Sequence, residues 1–172
     1  MNTLELLRIN LHGAHDQFAN TVADVTQDMA DWVPPGLAHP IGERYAHAVG
    51  AEDWLVNSIS RGGAPWFATT WAGKTGFGKL TLAGITSEEA RVFRADLNAL
   101  NEYASAVFAA SEEFLNSADA AEMERIYDMS AVGYGVLPAP IWWSAFIIDH
   151  LHDVMGEISA LKGSQGFKGY PF

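Results

Sequence analysis

Residues 86–114 read TSEEARVFRADLNALNEYASAVFAASEEF, and their spacing decides the fold. Thr86 with Glu89 three positions on forms a capping box, which satisfies two free backbone donors at a helix start. Beyond it Phe93, Leu97, Leu100, Ala104, Val107, Ser111 and Phe114 recur at steps of three and four. Such a seam is the apolar stripe of a long amphipathic helix. The N-terminal segment repeats the pattern with Leu4, Leu7, Leu11, Ala14, Phe18, Val22, Val25, Met29 and Trp32. It starts at a cap from Asn2 or Thr3 and stops at Pro34-Pro35-Gly36. Two more helices are predicted. One runs from Pro40 to about Ser60 on a stripe of Ile41, Tyr45, Ala48, Leu55 and Ile59, with Glu52 in its middle. The other runs from Pro140 to about Lys162, with Gly163 as its left-handed stop, and turns Trp143, Phe146, Ile147, His150, Val154, Glu157 and Leu161 inward. No run alternates as a strand would, so the expected architecture is all-α, a four-helix bundle.

The connections are uneven. Residues 33–39 form a short Pro-rich turn, whereas RGGAPWFATTWAGKTGFGKLTLAGI, residues 61–85, is long enough to be a lid or a crossover between distant helices. Its GKTGFG, residues 73–78, lacks Walker spacing and a preceding strand, and reads as a flexible loop. Residues 117–139 form a second long connection with a short helix expected over Ala118–Tyr127, and the C-terminal GSQGFKGYPF is expected to fold back on the bundle.

Composition narrows the function. The chain has 172 residues, one domain's worth, and its 10 basic against 21 acidic residues leave a net charge of −11. Nucleic acid and anionic membranes repel such a surface, so neither is an expected partner. With no cysteine there is no thiolate metal site, iron–sulfur cluster or cysteine nucleophile, and any metal must be held by His, Asp or Glu. The stretch MNTLELLRIN lacks a basic region followed by an apolar run, and no stretch reaches the length of a membrane span, so a cytoplasmic location is expected.

Six histidines remain. His12 and His15 fall off the first seam and read as solvated, and His39 lies in a turn. His152 points away from His150 and is expected in solvent, because neighbours two apart on a helix diverge by about 200°. His150 lies on the apolar stripe with Glu157 two turns on. It reads either as a core histidine bonded to a carboxylate or as a ligand to a divalent metal inside the bundle. A pair of Glu-x-x-His motifs, as a di-iron bundle needs, is missing, and no Gly-x-Ser-x-Gly elbow suggests a serine nucleophile.

Two stretches together, PPGLAHPIGERYAHAVGAEDWLVNSI (34–59) and DHLHDVMGEISALKGSQGFKGYPF (149–172), resemble the DinB-like superfamily of bacterial proteins. The likeness rests on the helix-two His followed by Glu-Asp-Trp and on the C-terminal His…Gly-Glu-Ile…Leu-Lys-Gly. It implies one domain over residues 1–172, a bundle with a long crossover, and assembly as a homodimer. It also implies a metal site of three histidines, one from the second helix and a His-x-x-x-His pair from the last. Members of the superfamily include metal-dependent transferases that use low-molecular-weight thiols and a maleylpyruvate isomerase. The helix-two ligand maps to His47 and the first of the last helix to His150. The second of that pair maps to Val154, which binds no metal, so Asp153, Glu157 or Glu52 would have to complete a site for zinc, nickel or iron. On the helical wheel His47 stands well away from the second helix's stripe, on the side of Ala51 and Trp54, so the resemblance alone nominates it.

The expected function is therefore a metal-dependent enzyme acting on a small molecule, with Trp66, Phe67 and Trp71 lining the mouth of its site. One alternative is a metal-free binding or stress-associated bundle whose pocket is lined by Trp143, Val154 and Trp54. Another is a purely structural dimer.

Overall fold

The computed structural model describes residues 1–78 and 86–171. Helix α1 (Thr3–Val22) starts with the capping box of Asn2 and Glu5. It is followed by α2 (Gln27–Asp31), α3 (Ile41–Asp53), α4 (Ser87–Val92), α5 (Leu97–Ser117), α6 (Ala120–Glu124), strands β1 (Ile126–Met129) and β2 (Gly135–Pro138), α7 (Ala139–Trp142) and α8 (His150–Ser164). The four long elements make the bundle: α1 packs on α5 and α8, and α3 packs on the same two. A residue on α3 can therefore face either of two neighbours, which one apolar stripe does not reveal.

The fold is the all-α bundle that the periodicity predicts, with four local differences. The first helix does not run on to Trp32. It breaks at 23–26, and Thr26 caps α2 through its side chain. The third is likewise interrupted after α4, and Asp96 restarts it by accepting from the amides of Asn98 and Ala99. Residues 126–138, expected to be a helix end and a loop, form a hairpin pairing Ile126 with Pro138 and Met129 with Gly135. Its turn needs glycine, since Gly133 and Gly135 both have positive φ. Lastly, α8 passes through Gly163, and the left-handed residue is Gly166.

Two segments are wound as π-helix: Trp54–Ser60, which continues α3, and Trp143–Asp149, which joins α7 to α8. π turns are rare, and they concentrate at functional sites because the extra residue per turn re-aims side chains.

Leu11, Phe18, Leu97, Leu100 and Val107 are buried in one core, and Val25 packs against its edge. Leu100 is fully buried, so Leu100→Ala should cost roughly 2–5 kcal/mol in chemical denaturation. A change within about 0.5 kcal/mol, as at a surface site, would remove this seam from the core.

The Gly-rich 73–78 stretch is not a free loop. Gly76 has φ +80° and lies against the start of α5, where a Cβ would meet the Asp96 carbonyl and the Leu100 amide. The Asp96 amide donates to its carbonyl at 2.6 Å. The rest of the long connection, residues 79–85, lies outside the described residues. The C-terminal tail does fold back: Gly169 abuts Ser159, and Gln165 donates to the Met29 carbonyl.

Candidate functional site

His47 on α3 and His150 at the first turn of α8 meet across the bundle, with their Nε2 atoms 3.1 Å apart. Two nitrogens bound to one zinc ion at about 2.0–2.1 Å and a tetrahedral angle stand roughly 3.3 Å apart, so the pair is spaced to share an ion. Burial drives both imidazoles toward the neutral form. His47 is pushed down to about 4 by burial, then by His150, Arg44 and His39. His150 is also lowered by burial, against the pull of Asp153, Glu52 and Glu157. A neutral imidazole keeps the lone pair that a metal requires.

The third donor is where the site thins. Val154, one turn beyond His150, is buried and apolar. Asp153 is exposed and lies on the same cleft as His150. Glu157 does not point inward as expected: it is exposed and bridges to Arg44 at 3.3 Å. Arg44 also holds the buried Glu43, whose Oε2 lies 3.0 Å from His39 Nδ1. Among the described residues no group of three His, Asp or Glu side chains converges to hold a metal. The residues present thus fit an ion at two positions, with Asp153 the carboxylate that shares the cleft lining with His150 and the rest open to solvent or substrate. His152 is half-buried, like His150, so the simple contrast of an inward and an exposed histidine does not hold.

Beside the pair opens a cleft of about 770 Å³, within the range of small-molecule sites. Trp54 and Leu55 from the α3 π segment form one wall. Ala145 and Phe146 from the second π segment form another, and Tyr134 and Leu137 of the hairpin a third. Both π segments therefore line the same cavity, with His150 and Asp153 also on its lining. Trp66, Phe67 and Trp71 were expected at this mouth but are absent from the described lining. They pack against the core instead, and the amides of Trp66 and Phe67 donate to Asp53 at 2.9 and 2.8 Å. Trp143 and Val154, expected to line a pocket, are closed in the core, whereas Trp54 does line one.

The sequence reading missed a second polar cluster. His15 is not solvated; it is 3% exposed and stacks on Phe108 with ring centroids 4.2 Å apart. Its Nδ1 meets Glu112 and its Nε2 meets the buried Glu52, each at 2.9 Å. The other oxygen of Glu52 is buried without a hydrogen-bond partner. A signal existed, because His15 follows Leu11 by four and precedes Phe18 by three, which puts it beside the seam.

The fold is thus an all-α bundle that brings a histidine pair together across α3 and α8. The DinB superfamily model matches residues 10–158, and the chain belongs to that superfamily. The fold is also similar to that of a conserved protein from Enterococcus faecalis, at 20% identity with a TM-score of 0.76 over 96% of this chain and 99% of that one. No curated protein matches the sequence.

Proposed function

We propose that this DinB-superfamily protein is a metal-dependent enzyme in which His47 and His150 hold a divalent ion beside the cleft. What supports the reading is the 3.1 Å approach of two neutral Nε2 atoms from different helices, beside a cavity large enough for a substrate. A bound zinc, nickel or iron ion would supply Lewis acidity, lowering the pKa of a coordinated water or small thiol into the neutral range. The chain's own contribution is to keep both imidazoles unprotonated by burial, to leave the remaining positions open, and to exclude bulk water with the apolar walls. Transfer of a low-molecular-weight thiol, in a homodimer, is the activity this reading favours.

Val154, buried where a third ligand would stand, favours a second reading in which the same cleft binds a small molecule without metal. Calorimetric titration of metal-stripped protein with zinc and nickel separates the two. Native protein should bind weakly and lose the ion on acidification as the imidazoles protonate. His150→Ala and His47→Ala should each weaken binding at least about tenfold, and Val154→His should strengthen it by a similar factor. Equal binding by the native protein and His150→Ala ends the metalloenzyme reading. So does no binding by any variant, Val154→His included.

A further inference from the structure

We infer that the cleft takes a substrate with a flat, ring-sized apolar body and no anionic group, and that Asp153 gives a positive charge on that body a counter-ion. Three observations carry this.

The first is the wall chemistry. Trp54, Leu55, Leu137, Ile141 and Phe146 face a cavity of about 770 Å³, and no lysine or arginine occurs among the described residues lining it. Against these walls, away from the histidine pair, a carboxylate or phosphate would lose its water and meet no lysine or arginine, which is costly for an ion. The second is the arrangement of rings. Tyr127, Trp142, Phe146 and Tyr134 form a continuous ladder with successive centroids 4.8, 5.3 and 4.7 Å apart. Tyr134, its last ring, is 62% exposed, and together with Phe146 it borders the cleft. Aromatic surface left open at the end of such a ladder offers a planar ligand the offset or edge-to-face contacts that rings prefer. The third is charge. Asp153 is the one carboxylate among the described lining residues, it is exposed, and the chain's net charge of −11 adds a long-range field of the same sign. The field draws cations to the mouth and turns anions away.

This inference rests on the reading of the cleft as the substrate side of the histidine pair, but its test needs no metal. Tryptamine, indole and indole-3-acetate share one ring system and carry a positive, a zero and a negative charge. Binding of each to native protein in chelator, followed by protein-observed NMR, should give tryptamine and indole with shifts at Trp54, Phe146 and Tyr134. Indole-3-acetate should bind at least about tenfold more weakly than tryptamine. Asp153→Asn should narrow that gap and leave indole unchanged. Ala145→Leu, a change at an exposed position of the wall, should weaken all three. Binding of indole-3-acetate as tight as tryptamine overturns the inference, as does no binding of any probe. A dimer that Ile141→Lys dissociates, with no probe bound to native protein, assigns the cleft to a second copy and also overturns it. A protein that binds tryptamine but no zinc loses only the catalytic reading, and one that binds zinc but no probe loses only this one.

Discussion

Asp53→Ala should destabilise the protein by roughly 3–5 kcal/mol, because it leaves several buried donors without an acceptor. Asp53 is fully buried at the end of α3. Its Oδ1 accepts from Asn57 at 2.7 Å and from the Trp66 amide, and its Oδ2 accepts from the Phe67 amide and from the Tyr103 hydroxyl at 2.5 Å. Alanine would leave two backbone donors and two side-chain donors without an acceptor, each costing about 1–3 kcal/mol where water cannot replace it. The cost has a second part. These bonds pin the start of the 61–78 connection to α3 and hold Trp71 near Tyr103, at 5.6 Å between centroids. Asp53→Ala should therefore also change the tryptophan emission of the folded protein. Asp53→Asn keeps one oxygen acceptor and should lose roughly half as much. Urea denaturation with circular dichroism and fluorescence together checks both parts. A loss below about 1 kcal/mol would mean that the connection is held by its aromatic packing alone.

The same region explains how much of the molecule is legible in its sequence. The seams of α1 and α5 were readable because each helix turns one broad stripe to a single core, and Leu11, Leu100 and Val107 are all fully buried. Helix ends were less readable. Apolar steps of three and four continue across 23–26, although the chain breaks there to let α2 cap on Thr26. The hairpin escaped notice because its strands are four residues long and Ile126 and Val136 face outward, so no apolar alternation develops. His47 gave no periodic signal because α3 packs on both α5 and α8, and the stripe that names the first neighbour hides the second. Family resemblance supplied it instead. The π segments have no sequence signature, yet they shape the cleft walls. Asp53 and Glu52 are adjacent carboxylates that both go inward. Only the three-dimensional arrangement reveals that one ties down a loop and the other meets a histidine of α1.

That histidine carries the last expected result. His15→Ala should cost roughly 3–5 kcal/mol near pH 6, because it strips the buried Glu52 of the histidine it is hydrogen-bonded to and leaves a hole beside Phe108. The pH dependence distinguishes a charged interaction from simple packing. Burial opposes protonation of His15, but Glu52 and Glu112 on its two nitrogens outweigh that and raise its pKa above 6.5. The stabilisation from its charge is then fully present below about pH 6.5 and fades as pH rises through the raised value. Glu112 runs the other way. Burial raises its pKa, but the bonds from His15 and His12 win and hold it below 4.5. Its share is present above that value and fades as pH falls through the lowered one. The network should be strongest between about pH 4.5 and 6.5. His12 and Asp16 face Glu112 and His12 respectively from the surface of α1 and remain in both proteins compared. His47 and His150, whose lowered pKa values make the fold lose stability as pH falls below 6.5, also cancel in the comparison. Urea denaturation of native protein and His15→Gln, which keeps a hydrogen-bonding side chain without the charge, should therefore differ most near pH 5.5, and the difference should shrink as pH rises through the raised value of His15. A difference that stays constant from pH 5.5 to 9 would mean that His15 is held neutral, as a packed ring on Phe108, and that the two carboxylates do not charge it.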